Sequence, residues 1–301
     1  MNTLKAIFKL ARPKQWVKNI FVLTAIIFSG RVSDPESIVT TLLAFAAFCL
    51  ASSSIYYIND YRDLEEDKKH PTKRNRPLAS GALPKWVGII GFFVLLAAAI
   101  GIPLITLNKP TTVVIVFYLV LNFAYSFGLK NIVIIDVLCI ATSFVLRILA
   151  GAAALSVLPS AWLVLCGVMI SLFLGFTKRR AEVVLLGDQA REHRKVLAHY
   201  SPVFLDQMVS IVTAATVVGY VLYTVDERTV QLVESRALLL SVPLVLYGIF
   251  RYLYLVYHAE SGGDPTRTVF TDIPLLITGV LWGILCTSVI LLGGKFWSLI
   301  L

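Results

Sequence analysis

Five of the chain's 18 acidic residues sit in one nine-residue stretch, Asn59-Asp60-Tyr61-Arg62-Asp63-Leu64-Glu65-Glu66-Asp67. A basic run follows at once: Lys68-Lys69-His70-Pro71-Thr72-Lys73-Arg74-Asn75-Arg76-Pro77. If residues 56–67 stay helical, Asp60, Asp63 and Asp67 stand at i, i+3 and i+7, within an arc of about 60°, with Asn59 near the same arc. Three carboxylates on one stripe repel each other unless a cation sits between them. An all-oxygen set of this kind suits Mg²⁺, which typically takes one or two carboxylates and completes its shell from substrate phosphates. The plain alternative is a solvated acidic helix end, but this stripe closes an apolar span, which favours the metal. Lys73, Arg74 and Arg76 then supply donors for phosphate oxygens, Arg in fork-shaped form. The same charges are also accounted for, one by one, by the preference for basic residues in cytoplasmic loops.

Further polar groups stand at other span ends. Lys178, Arg179 and Arg180 lie beside Glu182 at the end of an apolar run. Lys178 and Glu182 form an i, i+4 pair, which reads as a simple ion pair, while three adjacent cations point round most of a helix and must turn at least one inward. This makes a second phosphate-binding wall. Arg12-Pro13-Lys14-Gln15-Trp16-Val17-Lys18-Asn19 leads into the first apolar run. There Gln15, Lys18 and Asn19 could hold an anionic lipid headgroup, or Lys18 could snorkel to the interface. Tyr125, Ser126 and Lys130 follow another span, and Asp136 and Arg147 lie within the next. Eleven residues separate that pair, about three turns, so they do not pair along one helix. His70, His193, His199 and His258 have no metal-ligand spacing, and there is no Walker loop, GxSxG, HExxH or Gly-rich dinucleotide turn. Cys49, Cys139, Cys166 and Cys286 fall inside apolar runs without CxxC spacing and read as small buried residues.

The elements carrying these groups are membrane spans. The 301 residues are 57% hydrophobic and 15% charged, and the apolar residues come in blocks near the roughly 20 residues that cross a bilayer core. The pattern predicts an all-α polytopic membrane protein, one domain over 1–301. Its nine transmembrane helices fall at about 16–30, 38–58, 85–107, 111–127, 132–155, 160–177, 203–224, 237–257 and 273–297. Residues 1–19 read as an amphipathic segment on an anionic leaflet. Of the loop Lys and Arg, 20 fall on one face and 5 on the other, so the heavy face, with the long loops after spans two, six and eight, is expected to be cytoplasmic in the plasma membrane. The net charge of +9 therefore reports orientation and not nucleic acid. An oligomer is left open, because lipid-facing and partner-facing helices look alike.

Asn59-Asp60-x-x-Asp63-x-x-x-Asp67, then Arg76-Pro77-Leu78-x-x-Gly81, nine spans and Tyr125-Ser126…Lys130 together resemble the UbiA superfamily of intramembrane prenyltransferases, over nearly the whole chain. The resemblance implies a helical bundle with a central cavity open to the cytoplasm and sideways to lipid, and Mg²⁺-held diphosphate chemistry. Typical members carry a second Asp-rich motif after span six, where this chain has Lys178-Arg179-Arg180-Ala181-Glu182. That departure, with the Arg12–Asn19 run and Asp136…Arg147…Gly151, is similar to the decaprenyl-phosphate phosphoribosyltransferase branch. The branch implies phosphoribosyl pyrophosphate as donor, a polyprenyl phosphate as acceptor, and a product leading to lipid-linked arabinose for cell-wall polymers. On this reading Asn59, Asp60, Asp63 and Asp67 hold the metal. Lys73, Arg74, Arg76, Lys178, Arg179 and Arg180 meet the donor's phosphates, joined by Glu182, Tyr125, Ser126 and Lys130. Gln15, Lys18 and Asn19 meet the acceptor phosphate beside a groove between spans one and nine. The competing readings are a conventional prenyltransferase and a non-catalytic transporter or lipid-binding protein.

Overall fold

The computed structural model describes residues 3–69, 73–187, 195–258 and 265–292. His70, His193, Lys295 and parts of the loops after spans two, six and eight lie outside them, as do residues 293–297 of the expected last span.

Every regular element among the described residues is helical. An amphipathic α1 (Thr3–Leu10) leads to a 3₁₀ helix (Pro13–Leu23) that runs into α2 (Thr24–Phe28), α3 (Pro35–Arg62) and α4 (Leu64–Lys69). Then come α5 (Lys85–Thr106), α6 (Lys109–Phe127), α7 (Ile135–Ala154), α8 (Ala161–Leu186), α9 (Pro202–Val225), α10 (Glu227–Val233), α11 (Val242–His258), α12 (Pro265–Thr271) and α13 (Ile273–Leu292). Eight helical stretches among the described residues are long and apolar enough to cross a bilayer, one of them being α11 extended back to Ala237. They match the expected spans two to nine. The expected first span takes a different form: 11 residues of 3₁₀ helix and five of α-helix. The 3₁₀ rise of about 2.0 Å per residue stretches this short run to about 30 Å, the thickness of the hydrocarbon core.

The chain forms two compact units, residues 1–127 with 146–159, and residues 128–145 with 160–301, so α7 contributes to both. In the first unit, α3 starts at Asp34, whose carboxylate caps the Ser37 amide at 3.1 Å, with Pro35 in the first turn. Its 28 residues extend about 42 Å, longer than the hydrocarbon core, which leaves its acidic end beyond the lipid tails. The 3₁₀ helix lies along α3. Three residues per turn put Trp16, Asn19 and Val22 on one line: Trp16 Nε1 donates to Ser53 Oγ at 3.0 Å, Asn19 Nδ2 donates to Ser52 Oγ at 3.2 Å, and Val22 is fully buried. Gly151 of α7 admits this contact, because a Cβ there would lie 2.0 Å from the Val22 carbonyl oxygen.

Beyond the end of α3, Leu64, Leu78 and Leu83 bury against Ala6, Leu10 and Tyr57, and the Tyr57 hydroxyl donates to the Ile7 carbonyl at 2.9 Å. These apolar pegs fold the basic loop back over the acidic helix end. Leu78→Ala should cost about 2–5 kcal/mol of local stability and speed tryptic cleavage at exposed Arg74 several-fold, while the spans remain intact. An unchanged cleavage rate would mean that the loop is held by something else.

The second unit packs Val137, Phe173, Leu205, Val209 and Tyr252 into one core. The start of α7 presses on α8 at Gly175, where a Cβ would meet Val137 Cγ1 at 2.6 Å. A groove of about 770 Å³ runs between α9 and α11, lined by Val209, Thr213, Val217, Leu246, Phe250 and Tyr254 among others. Cys49, Cys139 and Cys286 are buried, and Cys166 is half-buried.

Candidate active site

The acidic stripe does not run as one continuous helix. Helix α3 ends at Arg62 and α4 starts at Leu64, with Asp63 between them at φ −86° and ψ 11°. The break separates the three expected carboxylates. Asp60 and Asp67 turn inward, 2% and 3% exposed, and share one guanidinium: Arg76 Nη1 lies 3.1 Å from Asp60 Oδ1 and 2.6 Å from Asp67 Oδ2. Arg12 closes on the same Asp60 oxygen, its guanidinium 4.8 Å above the Tyr56 ring. Asp63 turns the other way, with Arg62 Nε and Nη2 on its Oδ1 at 2.8 and 2.6 Å. Asn59 is half-buried a turn before Asp63.

The pair of carboxylates fits a hard divalent cation by its chemistry. Its donors are all oxygen, it is nearly sealed from water, and the guanidinium groups that pair with it are partly exposed. Among the described residues no three His, Cys, Asp or Glu converge closely enough to enclose a metal. The rest of a shell would therefore come from water and phosphate, the usual habit of Mg²⁺. Arg12 is the residue that sequence reasoning missed. Its role depends on a left-handed turn at Arg12 itself (φ 53°) and on a partner 48 residues away, neither of which leaves a mark in spacing.

Of the other expected site residues, Arg74 is exposed and Lys73 half-buried. Tyr125 is half-buried at the end of α6, and the buried Ser126 offers its carbonyl to Arg62. Lys130 sits in a short 3₁₀ turn, Leu129–Asn131, in the second unit. Gln15 and Lys18 lie on the 3₁₀ line next to Trp16 and Asn19, half-buried. Asn19 departs from expectation. It is fully buried, its Oδ1 accepts from Arg147 Nε at 2.8 Å, and its amide donates to Cys49 and Ser52. A side chain so occupied is a strut within the unit and not a headgroup ligand. Arg147 in turn reaches the Tyr118 hydroxyl at 3.2 Å and lies over the Phe48 and Tyr118 rings.

The basic trio of the second unit is likewise rearranged. Arg179 is the one that faces inward, at 1% exposure, but carboxylates receive it there. Its Nε lies 2.6 Å from Asp136 Oδ2, and Nη1 bonds Glu182. Asp136, with no exposed surface, also accepts from the Tyr200 hydroxyl at 2.7 Å, and that oxygen accepts the Ile134 amide at 2.7 Å. This holds Ile134 at φ 69°, an unfavourable conformation for a β-branched residue. Burial, and then the bond to Asp136, push the Tyr200 phenol above its ordinary range. Arg180 pairs with Asp206 at 2.9 Å and stacks 3.8 Å over Tyr257. Only Lys178 remains substantially open, 38% exposed and 3.8 Å from Glu182. The expected phosphate wall thus shrinks, because Arg179 is committed to an internal ion pair.

The family model "UbiA prenyltransferase family" matches residues 19–275. The chain is 36% identical over 291 residues to the decaprenyl-phosphate phosphoribosyltransferase of Mycolicibacterium smegmatis, covering 93% of this chain and 91% of that one. The corresponding figures for the enzyme of the same name from Corynebacterium glutamicum are 33% over 284 residues, 93% and 85%. Among solved structures, a UbiA homolog from Archaeoglobus fulgidus bound to DMAPP and Mg²⁺ superposes with a TM-score of 0.70 at 16% identity, covering 94% of this chain and 98% of that one.

Proposed function

Because the chain belongs to the UbiA prenyltransferase family, we propose that it transfers the 5-phosphoribosyl group of phosphoribosyl pyrophosphate to a polyprenyl phosphate in the membrane, releasing diphosphate. The observation that carries this reading is end-to-end similarity, over 93% of the chain, to enzymes named for a phosphoribosyl transfer to decaprenyl phosphate. The chemistry of the acidic corner agrees with it. It offers one buried carboxylate pair, enough for one metal-bridged diphosphate, surrounded by arginines and lysines suited to the extra phosphates that this donor and this acceptor bring.

Asp60 and Asp67, with Asn59 and with Asp63 released from Arg62, would hold Mg²⁺, which when bound supplies Lewis-acid stabilisation of the departing diphosphate. Lys73, Arg74 and Arg76 hold the donor's phosphate oxygens and keep water from competing for them. We assign Lys178, whose side chain is 38% exposed, to the donor's phosphates as well. The lipid phosphate oxygen attacks C1 of the ribose as the C1–O bond to diphosphate breaks, through an oxocarbenium-like state, with inversion. A phosphate monoester is anionic at neutral pH, so no side chain has to remove its proton. Gln15 and Lys18 serve the acceptor phosphate. The imbalance of 20 loop cations against 5 supports a cytoplasmic face for this chemistry, and the product on this reading is a precursor for lipid-linked arabinose and cell-wall polymers.

Purified protein incubated with labelled phosphoribosyl pyrophosphate and decaprenyl phosphate should yield a lipid whose mass rises by one phosphoribosyl group. If label enters lipid only from a prenyl diphosphate, the chain is instead a conventional prenyltransferase. If neither donor reacts while lipid still binds, it is a carrier or scaffold.

A further inference from the structure

Resting on the metal reading above, we propose that Arg12 and Arg76 occupy the Asp60–Asp67 pair in place of a divalent cation and yield it only when a diphosphate arrives, so that metal and diphosphate bind as one unit.

Two buried carboxylates carry a formal charge of −2, and the two guanidinium groups that touch them carry +2. Among the described ion pairs, these two acids are already matched by two cations before any metal enters. A divalent cation entering alone would leave an excess of two positive charges around carboxylates that are 2% and 3% exposed, where little water screens them. A diphosphate removes that excess and gives the displaced guanidinium groups a bidentate partner of better geometry than the carboxylate edge they leave.

The arginines are placed for such an exchange. Their side chains keep 27% and 26% exposure while the carboxylates do not, so the cations can move outward and the acids cannot. They also come from different elements. Arg12 stands at the hinge between α1 and the 3₁₀ helix, in a left-handed turn. Arg76 stands in the loop pegged by Leu78. Neither has to unfold a helix to swing away. The consequence is positive linkage: metal raises diphosphate affinity and diphosphate raises metal affinity by the same factor. Free Mg²⁺ alone then does not load the enzyme.

The test is equilibrium dialysis of the intact protein in nanodiscs against Mn²⁺ alone, and against Mn²⁺ with inorganic diphosphate. Wild type should bind Mn²⁺ weakly alone and at least about tenfold more tightly with diphosphate. Arg12→Gln and Arg76→Gln should each bind Mn²⁺ alone at least about tenfold more tightly than wild type, since one opposing charge is gone, and should lose most of the gain from diphosphate. Arg12→Lys, which keeps the charge, should stay near wild type. The proposal is overturned if wild type binds Mn²⁺ tightly by itself, or if the folded Gln variants bind it no better than wild type. Because the two arginines lie on separate elements, a folding defect in one variant leaves the other to decide. Asp60→Asn and Asp67→Asn test the underlying metal site separately: if both still bind Mn²⁺ as wild type does, the metal reading itself fails, whatever the arginines do.

Discussion

Asp60→Asn is expected to lower the rate of phosphoribosyl transfer by about a thousandfold or more, the scale on which losing a preorganised charge-stabilising group acts, while the protein remains folded. The amide keeps the shape of the side chain but removes the anion that both Arg12 and Arg76 address. Arg12 then loses its carboxylate partner, Arg76 keeps only Asp67, and the metal loses a buried ligand. Folding should survive because both arginines reach water, and because Leu64, Leu78, Leu83 and Tyr57 hold this corner by apolar contact. Glu65→Gln is the contrasting case. Glu65 is 69% exposed, and hydrogen bonding from Lys68 keeps its carboxyl below the usual range. Such a surface pair is worth little, so activity should stay within about twofold. Asp63→Asn separates two arrangements: a loss as deep as that of Asp60→Asn means that Asp63 leaves Arg62 to join the pair, and a shallow loss means that it stays. Initial rates with labelled donor, beside a thermal midpoint for each variant, give all three answers. An Asp60→Asn enzyme within tenfold of wild type would remove the acidic corner from the chemistry.

The spans were legible because lipid imposes one pattern on them. Any segment crossing a hydrocarbon core must be apolar for about 20 residues and satisfy its backbone internally, so α3 at 35–62 and α9 at 202–225 fall within a few residues of where hydropathy put them. The acidic motif was legible for a different reason, the density of carboxylates at a span end. Two things were not. One is local geometry: Gln15, Lys18 and Asn19 were grouped as polar residues entering an apolar run, but the three-residue turn from Pro13 to Leu23 puts Asn19 on the buried line of Trp16 and Val22, apart from Gln15 and Lys18. The other is the choice of partner. Arg12 finds Asp60 across 48 residues and Arg179 finds Asp136 across 43. A sequence shows that a buried cation needs an anion, but which anion meets it is decided by how the helices pack.

The Arg179 pairing carries the second large expectation. Arg179→Met should destabilise the protein by about 3–5 kcal/mol, the range for removing one partner of a buried ion pair, because Asp136 has no exposed surface and no water to turn to. Tyr200 still donates to it, but one neutral hydroxyl does not replace a guanidinium. Adding Asp136→Asn to Arg179→Met should restore much of the loss, since the amide oxygen still accepts from Tyr200 and the unpaired charge is gone. A ligand-binding Arg179 predicts otherwise: the single change would leave the thermal midpoint alone and raise KM for the donor, and the double change would rescue nothing. Lys178→Ala should behave in that second way, raising KM with the midpoint unchanged, because this side chain is open and holds Glu182 only at 3.8 Å. Thermal midpoints and KM measured together on the three proteins thus assign each cation to folding or to substrate. A stable Arg179→Met protein with a raised KM would return Arg179 to the phosphates.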